Sequence, residues 1–251
     1  MINFILVRPR YPGNIGSAAR AIKNLGFKNL ILVAPSTLPL HPESRRLAVG
    51  AEDLLKKAKV FDHLEEAIQG NHLLVGTSRR TGKHRKDFMT LEDLPPLLPK
   101  KQKIGILFGP EERGLNNREL STCHHVVTIP ANPKFPSFNL AQSIAIVAYQ
   151  LHIGSKSTRH PSNNDESTSQ VAPVEELEGM YTHLEKMLLQ IGFLENDRSF
   201  HMMRSLRNLL SRTRPDSREI RIIRGICRQV LWSTQNPATR DDKKIASSQK
   251  V

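Results

Sequence analysis

A stiff, polar loop in front of a helix is the stretch of this chain best suited to binding or chemistry. It runs from Ile129 through a loop with three prolines and into a helical pattern that continues to Tyr149. Prolines fix φ and remove backbone donors, so the loop is stiff and has carbonyl groups to spare. Ser137 and Asn139 stand where the N-cap of the helix belongs. Such a loop is a common ligand site in α/β proteins, although a merely well-capped helix explains the local pattern equally well.

The first turn between a strand and a helix is a weaker candidate. Gly13, Asn14, Ile15 and Gly16 resemble a phosphate-binding turn, but the spacing is not that of GxGxxG or of a P-loop. No acidic residue follows about 20 residues further on, which disfavours a dinucleotide-dependent dehydrogenase. Arg20 is placed to grip an anion, and it fits an exposed helix arginine equally well.

Other catalytic arrangements find little support. Glu111 and Glu112 are adjacent, so their side chains face different ways, and no second carboxylate partner is evident for glycosidase chemistry. Ser137 has no His and Asp partners in a recognisable order, which disfavours a hydrolase triad. No cluster of His and Cys at zinc spacing is present, so no metal is predicted.

Buried apolar runs alternate with helical patterns over residues 1–154. This alternation predicts one α/β domain whose sheet is mostly parallel, with helices on both faces. The predicted strands are Ile2–Val7, Asn29–Val33, His72–Thr77, Lys103–Phe108 and Val126–Ile129. The predicted helices are Ser17–Leu25 after a turn at Pro12–Gly16, Glu43–Lys57 with a break at Gly50, His63–Gln69 and Asn139–Ile153.

The remainder of the chain is organised differently. Residues 155–173 are polar and turn-rich, which predicts a flexible linker. Residues 174–235 carry apolar side chains at helical spacing in three segments, which predicts a small helical C-terminal extension that forms a bundle or completes its core in a dimer. The three predicted helices are Val174–Ile191, Phe200–Leu210 and Ser217–Trp232. Residues 236–251 are polar and predict a disordered tail.

The charge distribution points to a polyanionic partner. The chain carries a formal net charge of +13 at pH 7, and residues 198–251 hold a large excess of Lys and Arg over Asp and Glu. Lys and Arg displace counterions from phosphates, so the excess suits a nucleic acid, although solubility alone explains the charge equally well. An anionic membrane is the weaker alternative, because no basic stretch alternates with a strongly apolar face. The basic loop Thr81–Lys86 is either part of the binding surface or a solvated charged loop.

Cysteine content and hydropathy indicate the cellular compartment in which the protein is expected. With only two cysteines, a disulfide framework is excluded and a reducing compartment is expected. No run reaches the roughly 18 apolar residues needed to span a bilayer, and no signal-peptide pattern opens the chain. The sequence therefore predicts a cytoplasmic protein without a membrane association.

Three motifs in order resemble those of the SPOUT (SpoU-type) RNA methyltransferases. Asn14–Arg20 (NIGSAAR) resembles the first motif, Leu107–Leu115 (LFGPEERGL) the second, and Ile129–Ser143 the third. Each motif alone is only weakly specific for the family. Their order at the ends of predicted strands makes the combination specific. Segments around Tyr181, Gly192, Arg204 and Ile223 resemble the helical appendix of the branch that methylates a ribose 2′-hydroxyl in the tRNA anticodon loop.

The resemblance implies a fold, a cofactor and a partner. The fold is an α/β sheet with a C-terminal trefoil knot that binds S-adenosylmethionine, and the family forms homodimers. The implied substrate is tRNA, at cytidine or uridine 32 of the anticodon loop. Implied cofactor-binding residues are Thr77, Ser78, Arg79, Gly109, Ile129, Pro136, Ser137 and Phe138. Implied catalytic residues are Arg20, Asn14, Glu111, Ser137 and Asn139, and implied RNA-binding residues are Lys83, Arg85, Lys86, Arg204 and Arg207.

Within the catalytic set the resemblance implies that Asn14 orients Arg20. A guanidinium stays protonated in proteins, so anchoring of the RNA is a better role for Arg20 than proton removal. Two alternatives stay open: a methyltransferase acting on rRNA or on another tRNA loop, and a non-catalytic RNA-binding protein on the same fold.

Overall fold

The N-terminal part of the chain forms a seven-stranded sheet. The structure, a computed structural model, describes residues 1–79, 88–99, 102–157, 172–195, 199–211, 213 and 215–236. Within these residues the strand order is β3-β2-β1-β6-β4-β7-β5, and every described strand pair is parallel. The strands are β1 Ile2–Val7, β2 Leu30–Val33, β3 Lys59–Phe61, β4 Leu73–Thr77, β5 Phe88–Thr90, β6 Ile104–Phe108 and β7 His125–Thr128.

Helices flank this sheet and bury its apolar strands. Central strands such as β6 are buried along their whole length, as expected for strands covered on both faces. Helix α1 packs against α2, α3 and α6. The helices of this part are α1 Pro12–Asn24, α2 Pro42–Leu47, α3 Glu52–Lys57, α4 Leu64–Ala67, α5 Asn117–Ser121 and α6 Leu140–Ser157. The predicted α/β class with a mostly parallel sheet is confirmed, whereas the trefoil knot stays a prediction.

The predicted turn at Pro12–Gly16 is wrong, because these residues form the first turn and a half of α1. Pro12 occupies the first helical position, where its missing N–H costs nothing. Gly16 serves close packing instead of a turn: a Cβ there would lie 2.1 Å from the carbonyl oxygen of Ser44. The glycines therefore let α2 approach α1 closely.

Sequence patterns missed the short elements. Strands β3 and β5 have three residues each, too few to show a period. The break predicted at Gly50 within Glu43–Lys57 is confirmed: α2 and α3 are separated around Gly50, whose φ of +75° lies in the left-handed region. Helix α6 begins at Leu140 as expected and continues to Ser157, three residues into the predicted linker.

The C-terminal part forms a separate compact unit. The chain divides into Met1–Thr168 and Ser169–Val251, a boundary inside the predicted linker and outside the described residues. The second unit contains α7 Val174–Gln190, α8 Ser199–Ser211 and α9 Ser217–Gln235, close to the three predicted helices. Their core includes Leu177, Met180, Tyr181, Leu194, Met203 and Ile220. Of the predicted disordered tail, residues 236–251, all but Asn236 lie outside the described residues.

No helix in the described part of the chain is long and apolar enough to cross a membrane.

Candidate active site

The candidate site lies at the carboxyl ends of three neighbouring strands. Strand β4 pairs with β6 on one side and with β7 on the other. The loops that follow these strands begin at Ser78, Gly109 and Ile129, so the three loops emerge side by side at one edge of the sheet. This edge is the usual ligand site of open parallel sheets.

The three loops enclose one pocket, and all eight residues predicted to bind a cofactor line it. The pocket also includes the predicted catalytic residue Glu111 and the first residues of α6. Its lining is Thr77, Ser78, Arg79, Phe108, Gly109, Pro110, Glu111, Glu112, Arg113, Gly114, Leu115, Ile129, Pro136, Ser137, Phe138, Leu140 and Ser143. The second and third sequence motifs therefore meet in space.

The loop after β6 forms a backbone wall. A Cβ on Gly109 would lie 2.1 Å from the amide nitrogen of Leu115, so only glycine permits the loop to fold back on itself. Gly114 has a φ of +66°, and its N–H donates to the carbonyl of Pro110 at 2.9 Å. Peptide groups rather than side chains thus form part of the pocket wall.

The loop after β7 is ordered by Asn132 and ends in a helix cap. The Oδ1 of Asn132 accepts from the N–H of Lys134 at 2.9 Å, and its carbonyl accepts from the N–H of Phe135 at 2.9 Å. Asn139 caps α6, because its Oδ1 accepts from the N–H of Ala141 at 2.9 Å. Of the two predicted caps, Asn139 therefore caps the helix, whereas Ser137 lines the pocket.

A chain of hydrogen bonds joins all three motifs. The Nδ2 of Asn139 donates to Oδ1 of Asn14 at 3.0 Å, and Nδ2 of Asn14 donates to Oε1 of Glu111 at 2.8 Å. The Glu111 carboxylate also accepts from the backbone N–H of Arg10 at 3.0 Å and of Tyr11 at 3.3 Å. The carboxylate thereby holds the segment that enters α1 against the loop after β6.

Two ion pairs reinforce this contact, and sequence reasoning missed both. Arg10 pairs with Glu112, and Arg8 pairs with Glu119, whose side chain is almost completely buried. Glu119 also accepts from the N–H of Asn116 at 2.8 Å and so caps α5. Arg8 follows β1 directly and has a φ of +50°. More than a hundred residues separate the partners of each pair, so no local pattern indicates them.

Arg20 lies apart from this cluster. It is exposed on α1, six residues after Asn14, and is not among the residues that line the pocket. Among the described residues no hydrogen bond or ion pair engages its guanidinium, which is therefore available to an anion. The hydrogen bonds of the Asn14 side chain go to Glu111 and Asn139; that Asn14 orients Arg20 stays a prediction.

The predicted RNA-binding residues divide into three groups. Lys83, Arg85 and Lys86 lie outside the described residues. In the C-terminal unit Arg204 is half-buried and has no ion pair with a described residue. Arg207 makes a bidentate pair with Glu178, at 2.5 and 2.8 Å, and lies 4.3 Å above the Tyr181 ring. Its guanidinium is thus already engaged, although its contact with RNA stays a prediction.

The described residues contain no group of three His, Cys, Asp or Glu side chains placed to hold a metal ion. The pocket lining offers hydroxyl and backbone groups, the carboxylates of Glu111 and Glu112 and the guanidinium groups of Arg79 and Arg113, a set that suits an organic ligand.

Two family models match this chain. Residues 1–149 match the SpoU rRNA methylase family, and residues 175–242 match the C-terminal domain of the tRNA methyltransferase TrmJ. The tRNA (cytidine/uridine-2′-O-)-methyltransferase TrmJ of Pectobacterium atrosepticum is 36% identical over 242 residues, which cover 91% of this chain and 96% of that protein.

Solved structures agree with these matches. The crystal structure of TrmJ from Z. mobilis ZM4 superposes with a TM-score of 0.79 at 35% identity, over 92% of this chain and 99% of that chain. The SpoU methyltransferase AviRb from Streptomyces viridochromogenes, in complex with the cofactor AdoMet, has a TM-score of 0.51 at 26% identity, over 62% of this chain and 60% of that chain.

Proposed function

The chain belongs to the SpoU methylase family, and from this premise we propose that it transfers a methyl group from S-adenosylmethionine to a ribose 2′-hydroxyl of tRNA. The observation that carries the proposal is the junction of the three motifs. The Asn139–Asn14–Glu111 hydrogen-bond chain adjoins a pocket lined by every predicted cofactor residue. Such a junction brings the pocket and a cluster of hydrogen-bonded polar side chains to one edge of the sheet.

The pocket residues fit S-adenosylmethionine. The folded-back loop at Gly109 leaves peptide groups on the wall, which suit the hydrogen-bonding edges of an adenine and a ribose. Thr77, Ser78 and Arg79 would hold one side of the cofactor, and Ile129 with Ser137 and Phe138 the other. When bound, the cofactor supplies a methyl group on a positively charged sulfonium. The AviRb complex with AdoMet supports this choice of cofactor.

The residues of this chain would position the acceptor ribose. In-line transfer requires the hydroxyl oxygen to be held close to the methyl group, so most of the catalytic effect comes from orientation. Asn139 and Ser137 lie where the third motif reaches the pocket, and Asn14 fixes Asn139 through its carboxamide. Exposed Arg20 would anchor a phosphate or ribose of the RNA, because guanidinium groups bind phosphates well and stay protonated.

We infer tRNA as the substrate class, at cytidine or uridine 32 of the anticodon loop. Support comes from the C-terminal match to the TrmJ domain and from relatives named for tRNA (cytidine/uridine-2′-O-) methylation. The net charge of +13 adds the electrostatic attraction that any RNA substrate needs. rRNA is the second candidate, favoured by the description of the family that residues 1–149 match.

A cytoplasmic homodimer is the assembly that we propose. Its support in this chain is the exposed apolar pair Tyr149 and Ile153, which lie one turn apart on α6, a helix whose apolar residues Leu140, Ile144, Val147 and Leu151 are buried. Light scattering at micromolar concentration should give twice the 28.3 kDa mass of the chain; a mass of one chain would contradict the dimer.

A competition experiment tests the substrate class. The protein is incubated with labelled S-adenosylmethionine and equal amounts of unmodified tRNA and rRNA. We expect label in tRNA, in nucleotides that resist alkaline hydrolysis because their 2′-hydroxyl is blocked. Label mainly in rRNA would favour the second candidate. Tight tRNA binding without any transfer would favour a non-catalytic RNA-binding protein.

A further inference from the structure

Phe135 presents its ring to solvent beside the pocket. With 79% of its surface exposed, it is the most exposed of the large apolar side chains in the described part of the chain. Exposed single apolar residues are common, so exposure alone is not evidence of a functional role. The backbone around Phe135 distinguishes it from an ordinary surface residue.

The turn under Phe135 is stiff. Its N–H donates to the carbonyl of Asn132 at 2.9 Å, while the side chain of Asn132 accepts from the N–H of Lys134, the residue before the ring. Pro133 lies inside the turn and Pro136 follows the ring directly. A residue before proline favours extended backbone, so two prolines and an Asx turn together restrain the backbone that carries the ring. Little backbone entropy therefore remains to be lost when the ring meets a partner.

The position of the turn defines the partner. Pro136, Ser137 and Phe138 line the candidate cofactor pocket, so Phe135 directly precedes the pocket wall in the chain. Lys134 precedes the ring in the same turn, and Arg79 and Arg113 line the pocket itself. Exposed aromatic rings combined with cationic side chains are the groups that unpaired bases and their phosphates favour.

We propose that Phe135 is a stacking platform for an unpaired base of the RNA substrate, adjacent to the ribose that receives the methyl group. The inference rests on the proposed function and deepens it, because it assigns a base-binding subsite outside the cofactor pocket. Stacking tolerates any base, since each has a π-face. The subsite therefore selects unpaired over paired nucleotides rather than one sequence, which suits a loop as the substrate.

Three variants test the subsite: Phe135→Ala, Phe135→Leu and Phe135→Trp. We expect the alanine and leucine variants to lose about 10- to 100-fold in affinity for unmodified tRNA, the range that alanine substitution of a stacked aromatic gives. Affinity for S-adenosylmethionine should stay unchanged in both. The tryptophan variant should retain tRNA affinity, and its added indole fluorescence should be quenched when tRNA binds. Val49→Ala, at another exposed apolar residue (62% exposed), is the matched control.

Three results would overturn the subsite: tRNA affinity of Phe135→Leu equal to that of the unaltered protein, an equal loss of cofactor affinity, or a change of oligomeric mass in Phe135→Ala. The last would assign the ring to a contact between two copies. A failure of the proposed function can be distinguished from a failure of the subsite. If the unaltered protein methylates no RNA while Phe135 still governs tRNA affinity, only the enzymatic assignment is contradicted.

Discussion

At the scale of residues, one carboxamide connects the site. Asn14 is the only described side chain that hydrogen-bonds to residues of both other motifs, Glu111 and Asn139. Its amide can donate to a carboxylate and accept from another amide at the same time, whereas an ionised carboxylate cannot donate and a hydroxyl must do both through one atom on a shorter side chain. We therefore expect activity to depend on the amide itself rather than on the volume of the side chain.

Exchanging the polarity of the Asn14–Glu111 pair tests this dependence. Asn14→Ala should lower kcat/KM about 10- to 100-fold, the range for losing a hydrogen bond to a charged group. Asn14→Asp should lower it further, because two carboxylates would then meet at hydrogen-bond distance. Adding Glu111→Gln to Asn14→Asp restores a donor and should recover part of the loss, whereas Glu111→Gln alone should not increase activity. Methyl-transfer kinetics measure all four; independent, additive effects would contradict the coupling.

Tyr181 gives the C-terminal unit a stability that depends on pH. Burial raises the pKa of Tyr181 from 10.0 to about 12, more than the neighbouring Arg207 lowers it. The pKa of Tyr181 is higher in the folded state than in the unfolded state. Its contribution to the stability of the folded state is therefore complete below pH 10 and is lost between pH 10 and 12. At about 1.4 kcal/mol per pH unit, the loss approaches about 3 kcal/mol.

Denaturant unfolding followed by the fluorescence of Trp232, the single tryptophan of the chain and part of α9, measures this effect. The stability of the unaltered protein should fall more steeply between pH 10 and 12 than that of Tyr181→Phe, which has no ionisable hydroxyl. Parallel curves for the two proteins would show that Tyr181 does not titrate in this range.

At the scale of elements, the sequence predicts regular structure well and contacts poorly. Five strands and the three C-terminal helices appear within a few residues of their predicted bounds, because each is long enough to show its period. Edge strand β5 has only three residues, and the turn at Gly13–Gly16 was predicted from glycines that serve helix packing. The pocket lining followed from family resemblance, whereas the Asn14–Glu111 bond spans 97 residues and leaves no local signal.

The folded-back loop after β6 should depend on Gly109. In Gly109→Ala the new Cβ would meet the amide of Leu115, so the loop must move away from its present position. Overpacking of this kind costs about 1–3 kcal/mol, and we expect cofactor affinity to fall about 10- to 100-fold. Gly225→Ala in α9 is the control, since a Cβ there meets nothing within 4 Å. Calorimetric titration measures both; unchanged affinity in Gly109→Ala would contradict the role of the loop.

Two arginines on α8 should behave differently. Arg207 is held by Glu178, so Arg207→Ala should destabilise the C-terminal unit, by about 2–3 kcal/mol for a partly buried bidentate pair. Arg204 has no described partner, so Arg204→Ala should leave stability unchanged. If Arg204 contacts a phosphate, its loss should reduce the slope of log affinity for tRNA against log salt by about 1. Equal effects of the two substitutions on both properties would contradict the distinction.

At the scale of the whole molecule, two units combine the requirements of an RNA-modifying enzyme. The N-terminal unit contains the pocket and the hydrogen-bond chain of the three motifs. The C-terminal unit matches the TrmJ C-terminal domain and carries arginines along its helices. We expect the first unit to set the chemistry and the second to set which RNA is bound. This division explains why the family resemblance alone predicts a methyltransferase, whereas the substrate depends on the C-terminal match.

The most direct test of this account is to map the methyl group. The protein is incubated with S-adenosylmethionine carrying a labelled methyl group and with unmodified tRNA, and the product is analysed at nucleotide resolution. We predict a 2′-O-methylated cytidine or uridine at position 32, with no label on the bases. A methyl group on a base, or the absence of transfer to tRNA despite binding, would contradict the account.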